Sequence, residues 1–240
     1  MLKKRLKVLG IIGARSGSIG IKNKNIKKLN KKPLIFWSIK VALKSRFLNR
    51  VLVSTDSRQY QKISIQCGAE VPFLRPKKIS LSESKEIDYI IHCLDWLNKN
   101  ENYVPDIIVR MQPTSPFQLV DDIDRSIVEL IKDKQATSTQ VVSESEFHPS
   151  KALKVIEGTK YLKPYILGKN NNVVNRQILK KSYHRSNIIT SKVKYLLKNK
   201  DHIGNKSIKI EIPKIRSLDI NSKKDFLIAE LINKVYKFLK

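Results

Sequence analysis

The sequence predicts an α/β protein built on a mostly parallel sheet with helices on both faces. Two patterns point there. Short apolar runs of strand length alternate along the chain with stretches of helical periodicity. Most of those runs are continuously apolar rather than alternating, as expected for strands covered on both faces and linked by helical crossovers.

Taken in order, residues 8–12 (Val-Leu-Gly-Ile-Ile) read as the first buried strand, and a polar, glycine-bearing stretch follows to residue 32. Residues 34–43 read as a helix whose buried face draws on Leu34, Trp37, Ile39, Val41 and Ala42. Residues 50–54 form a second strand, closed by Thr55-Asp56; residues 59–66 form a short helix that Cys67-Gly68 stops. Residues 71–74 are a short extended piece. A helix over 86–98 turns Ile87, Ile90, Ile91 and Leu94 to one side; residues 106–111 are another buried strand. A helix over 122–132 and a strand over 138–143 continue the rhythm. Residues from about 147 to 190 break it, and read as an insertion with its own small sheet or arm. A strand over 208–212 and a long amphipathic helix over 222–239, with Ser222 as N-cap, complete a single domain over 1–240.

Composition narrows the class. At 41% hydrophobic and 29% charged, the chain suits a globular protein and not a disordered one. No window approaches the roughly 18 consecutive apolar residues of a membrane span, so no membrane association is expected. The basic start runs into an apolar stretch that ends directly in Arg15, so no signal peptide is expected. Two cysteines, Cys67 and Cys93, suit a reducing compartment, and a cytoplasmic location is expected. The net charge of +27 is spread over both halves and carried mainly by lysine. It reads as a solvated surface, with room for an anionic substrate such as a nucleotide; nucleic-acid binding is not expected. The four histidines show no metal-ligand spacing.

Three loops are candidates for chemistry. Directly behind the first strand lies Ala14-Arg15-Ser16-Gly17-Ser18-Ile19-Gly20, followed by Lys22, Lys24 and Asn25. Glycines let a loop wrap closely and aim N–H groups at an anion, and Arg15 adds a planar cationic fork, so a triphosphate cradle fits; an ordinary Gly-Ser turn fits too. Neither the dinucleotide fingerprint nor the Gly-Lys-Ser/Thr phosphate loop is present. The second loop, Gln112-Pro113-Thr114-Ser115-Pro116, sits at the carboxyl end of a strand, where open parallel sheets bind ligands, although a plain capped turn also fits. In the third, Ser217-Leu218-Asp219-Ile220-Asn221 with Asp225, Asp219 and Asn221 present oxygen ligands suited to Mg²⁺, or simply surround a helix start. Arg75 and the pair Arg176-Gln177 are further candidates for carboxylate or phosphate contact.

In order, these pieces resemble the acylneuraminate cytidylyltransferase family, the CMP-sialic acid synthetases and their relatives. Lys32-Pro33-Leu34, Val53-Ser54-Thr55-Asp56, the stretch Gly68 to Pro76, Asp121-Asp122-Ile123-Asp124 and Asn175-Arg176-Gln177 add to the match, which covers nearly the whole chain. The resemblance implies a Rossmann-like nucleotidyltransferase fold with an inserted dimerisation arm and a homodimer. It implies transfer of CMP from CTP to the anomeric hydroxyl of a nonulosonic sugar acid, with release of pyrophosphate, for surface glycans. It implies catalytic roles for Arg15, Lys24 and Asp219. Nucleotide contacts would come from Ala14, Arg15, Ser16, Gly17, Ser18, Gly20, Lys24, Asn25, Arg75 and Gln112. Sugar contacts would come from Gln112, Thr114, Ser115, Arg176 and Gln177, and Mg²⁺ would be held by Asp219 and Asn221. Three departures stand against the family pattern. Ile19 replaces a lysine of the phosphate loop, and Asn221 replaces the second aspartate of Asp-Ile-Asp. Ser186-Asn187-Ile188-Ile189-Thr190 keeps little of the family's Asn-Gly-Ala-Ile-Tyr. A Kdo-type cytidylyltransferase and a catalytically weakened nucleotide-binding relative are the alternatives these departures leave open.

Overall fold

The apolar run at residues 8–13 becomes an inner strand of a wide sheet because both its faces must be covered. A computed structural model describes residues 6–18, 20–166 and 179–239. In chain order the elements are β1 (Val8–Gly13), β2 (Lys28–Leu29), β3 (Lys32–Pro33), α1 (Leu34–Leu43), β4 (Arg50–Ser54), α2 (Arg58–Gln66), α3 (Glu86–Glu101), β5 (Ile107–Met111), α4 (Val120–Lys132), β6 (Ser138–Glu144), β7 (Leu153–Val155), β8 (Leu162–Pro164), β9 (Tyr183–Lys192), α5 (Val193–Asn199), β10 (Ser207–Glu211) and α6 (Lys223–Tyr236). Six strands form one sheet in the order β10-β6-β9-β5-β1-β4, parallel except for β9, which runs antiparallel to both neighbours.

Successive β1 side chains serve opposite faces. Val8 and Ile12 pack with Ile35 and Ile39 of α1 and Ile123 and Ile127 of α4. Leu9 and Ile11 pack with Ile90 and Leu94 of α3 and Leu196 of α5. Each such fully buried aliphatic side chain contributes about 1.5–3 kcal/mol. A third cluster, with Leu29, Leu34, Trp37, Phe117, Ile220 and Phe226, fastens α6 and the β2–β3 hairpin beside the loop that follows β5. Local signals set the helix ends. Ser57 accepts from the Tyr60 amide, and Ser222 and Asp225 form a capping box. Gly68, at φ +95°, turns the chain after α2. Among the described residues no helix is long and apolar enough to cross a membrane.

The expected α/β layering is present, with one correction to the insertion. The excursion does contain a small two-stranded sheet, β7–β8. It does not extend to residue 190, because Tyr183–Lys192 is β9, wedged between β5 and β6 in the main sheet. The structure also adds α5, and residues 71–74 form no strand of their own; only Glu70 bridges to Leu52.

Candidate active site

β1 passes to β4 on one side, and the chain then crosses to β5 on the other. A crevice therefore opens outside the carboxyl ends of β1 and β5, as such a reversal requires. It holds about 350 Å³ and is lined by Arg15, Ser18, Gly20, Lys24 and Asn25 from the first loop. Arg75, Gln112 and Thr114 line it from the other segments, with Asn221 beside them.

The first loop is braced from behind. Ser16 donates its amide and hydroxyl to Asp56, at 2.8 and 2.9 Å, and Asn25 donates to the Arg15 carbonyl at 3.2 Å. Ala14 is buried, its amide bonded to the Ser54 carbonyl at 2.9 Å. Ala14 and Ser16 thus shape the loop, while Gly17 stands in open space. Gly20 passes against the third loop so closely that a Cβ there would lie 2.3 Å from the Asn221 carbonyl oxygen, so only glycine fits. Lys24 crosses the same junction, donating to the Ile220 carbonyl at 2.7 Å and to Asn221 Oδ1 at 3.1 Å. The first and third loops therefore form one wall.

Asp219 stands at the far side of that wall. It accepts from Asn187 at 2.9 Å and from Asn221 Nδ2 at 2.7 Å, and it lines an adjoining cavity with His184 and Lys214. The residues 217–221 are not a strand, but Asp219 and Asn221 still meet side by side. The second loop is tied to the third by the Ile220 amide on the Thr114 carbonyl, at 2.9 Å. Ser115 is fully buried and bonded to Asn187 Nδ2 at 2.7 Å, so it shapes the loop and does not line the crevice. Arg176 and Gln177 lie outside the described residues.

The electrostatics favour an anion. Among the described residues, Arg15 and Arg75 have no carboxylate within ion-pair distance. Arg75 is only 6% exposed. It donates to Ser54 Oγ at 3.0 Å and to the Ser54 carbonyl at 2.6 Å, and lies 4.4 Å over the Tyr89 ring. Burial lowers its pKa and is also the main cause lowering that of Lys24, which Asp219 and Asp225 partly offset. Cations held this way, half out of water and short of counter-charge, gain when a polyanion enters.

Sequence reasoning missed several members of the site. Glu86 and Tyr89 on α3 line the crevice, and Arg110 ion-pairs with Glu86 at 2.6 Å. Asn187 reaches Thr114, Ser115 and Asp219 together. Glu86 opens a helix, where an acid is ordinary; an arginine in the middle of an apolar strand was the signal available for the pair.

A family model described as cytidylyltransferase matches residues 9–201. The chain belongs to the cytidylyltransferase family. Members similar to it include the N-acylneuraminate cytidylyltransferase of Escherichia coli, 31% identical over 94% of this chain and 52% of that protein. The CMP-N,N'-diacetyllegionaminic acid synthase of Legionella pneumophila is 36% identical over 58% of each. The chain thus spans a little over half the length of these two relatives. Among solved structures, a CMP:2-keto-3-deoxy-manno-octonic acid synthetase complexed with CTP shares the fold, with TM-score 0.69 at 14% identity, covering 97% of this chain and 100% of that one.

Proposed function

We propose that this cytidylyltransferase-family chain transfers CMP from CTP to the anomeric hydroxyl of a nonulosonic sugar acid, releasing pyrophosphate. The observation that carries the reading is the crevice itself, with Arg15, Lys24 and Arg75 facing one cavity at the carboxyl ends of β1 and β5. Its relatives' names, N-acylneuraminate cytidylyltransferase and CMP-diacetyllegionaminic acid synthase, supply the substrate class.

Transfer at the α-phosphorus asks for charge neutralisation and in-line placement more than for covalent help. Arg15, with no carboxylate partner among the described residues, meets the triphosphate. Ser18 and Gly20 bring the loop backbone against it, and Lys24 adds charge from the shared wall. Arg75 is held rigid by Ser54 and Tyr89, and offers donors to the nucleotide. Gln112 and Thr114 face the acceptor side.

The donor set at the shared wall is all oxygen: the Asp219 carboxylate, the Asn221 amide carbonyl and the Ile220 carbonyl. It already attracts the Lys24 ammonium. That chemistry fits Mg²⁺ carried by one protein carboxylate together with substrate phosphates. Asp219 and Asn221 would hold the ion, which when bound offsets the charge on the phosphates.

The exposed apolar residues of the β7–β8 excursion support a homodimer, and a cytoplasmic location is part of the same proposal. The test is pyrophosphate release from CTP and Mg²⁺ with a panel of sugar acids, including sialic, legionaminic, pseudaminic and the eight-carbon acid. Turnover on one of the nine-carbon acids is expected; turnover only on the eight-carbon acid transfers the assignment to the Kdo type. A second reading, nucleotide binding with weakened catalysis, draws on Asn221, which brings no charge and already serves Lys24. Calorimetric CTP binding without turnover on any acid selects it.

A further inference from the structure

We propose that Glu86 sets the hydrogen-bonding polarity of the crevice at Gln112, fixing that side chain so that it presents an acceptor to the bound substrate. The inference rests on the reading that the crevice takes CTP and a sugar acid.

Glu86 opens α3, where an acid normally faces solvent and favours the helix N-terminus. Here its carboxylate instead takes two donors and stands close to a histidine. Arg110 Nη2 on β5 donates at 2.6 Å, Gln112 Nε2 just beyond β5 donates to Oε1, and His202 Nε2, past α5, lies 3.3 Å away. Arg110 is 3% exposed, and among the described residues its guanidinium also donates to the Asn187 carbonyl at 3.4 Å. Glu86 is its acidic partner among the described residues. Burial alone would raise the Glu86 pKa, but His202 and Arg110 outweigh it and bring it to about 2.

An ionised carboxylate only accepts. The NH₂ end of Gln112 must therefore face Glu86, and the Oε1 end faces away. Gln112 lines the crevice, and no donor among the described residues meets Oε1. Without Glu86 the two ends of the amide are nearly interchangeable, and the crevice would offer a donor or an acceptor equally. With it, the position seats an N–H or O–H group. Two sources carry that chemistry: the exocyclic amine of cytosine, and a hydroxyl or N-acyl N–H of the sugar acid. Glu86 is thus a positioning residue acting through Gln112.

The test uses the paired variant E86Q/R110M, which removes both charges together so that neither is left buried alone. Glu86→Asp serves as a second variant that keeps the ion pair but shortens the reach to Gln112. With both, the apparent KM for one substrate is expected to rise about tenfold while kcat stays within about twofold, and in a Gln112→Ala background neither change adds anything further. CTP calorimetry and sugar-acid kinetics run side by side identify the source, because only the affinity for the molecule seated at Gln112 moves. An arm independent of turnover reads the Gln112 side-chain amide in ¹⁵N spectra, assigned by its loss in Gln112→Ala. Protected, downfield-shifted protons are expected in the wild type and exposed-amide positions in both Glu86 variants. Amide signals that do not move, or kinetic effects that add independently to Gln112→Ala, overturn the proposal. If the wild type turns over no sugar acid, the amide arm still judges Glu86 while the proposed function fails by itself.

Discussion

The crevice and the β7–β8 excursion are both unfinished surfaces, and they are unfinished in opposite ways. In the crevice, Arg15 and Arg75 find no carboxylate among the described residues, and Lys24 leans on carbonyl oxygens. In the excursion, Phe147, Leu153, Tyr161 and Leu162 are 83%, 58%, 65% and 60% exposed. Charge without counter-charge calls for a small polyanion; apolar surface without cover calls for another protein surface. The loops of the crevice are braced by Asp56, Asn25 and Asn187, whereas β7 and β8 pair with each other. One region presents cations over a crevice, and the other presents apolar side chains to solvent.

That contrast can be broken at either end. The largest effect is expected from Arg15→Ala, which should lower kcat/KM for CTP about 10²–10³-fold in a pyrophosphate-release assay, as loss of a preorganised charge contact does. Its melting temperature should hardly move, since the Arg15 side chain makes no hydrogen bond or ion pair among the described residues and its carbonyl is kept in Ala; full activity would mean the crevice is not an anion site. Next, Tyr161→Glu together with Leu162→Glu should convert a dimer to a monomer in sedimentation velocity with little change in thermal stability. A wild type that sediments as a monomer at all concentrations would remove the assembly half of the contrast.

Much of the sheet was readable because its strands are continuous apolar runs. Residues 34–43 and 50–54 coincide with α1 and β4. β9 was not readable, for a physical reason. Tyr183–Lys192 carries Ser186, Asn187, Thr190 and Ser191. Their polar groups are paid for by tertiary partners such as Ser126 Oγ, 2.6 Å from Thr190 Oγ1, rather than by an apolar sequence. In the site, Arg15, Lys24 and Gln112 were legible as loop residues behind strands. Glu86 and Asn187 were not, because their roles exist only once β5, α3 and the third loop are brought together.

Smaller effects sharpen the account. Gly20→Ala should lower unfolding free energy by about 1–3 kcal/mol in urea titration, because a Cβ 2.3 Å from the Asn221 oxygen forces the loops apart. An unchanged midpoint would show that the wall is pliable. The smallest effect concerns acid. Glu86 has its pKa lowered from 4.5 to about 2, so its contribution to stability is complete above about 4.5 and disappears as pH falls through about 2. Over that window the wild type should lose stability more steeply than Glu86→Gln, measured by urea unfolding at stepped pH; parallel slopes would mean that folding leaves the Glu86 pKa unshifted.

The bond between the Ser145 amide and the Ser182 carbonyl, at 2.8 Å, sits next to the Glu144–Tyr183 rung where β6 meets β9. The chain leaves the sheet and returns to it at neighbouring points. The described residues 145–166 and 179–182 therefore stand on a closed base, and exchanging the excursion for a short turn or a foreign hairpin is expected to leave the sheet register unchanged. A cut placed eight residues later, at 190, would instead pull most of an inner strand out of the molecule and part β5 from β6.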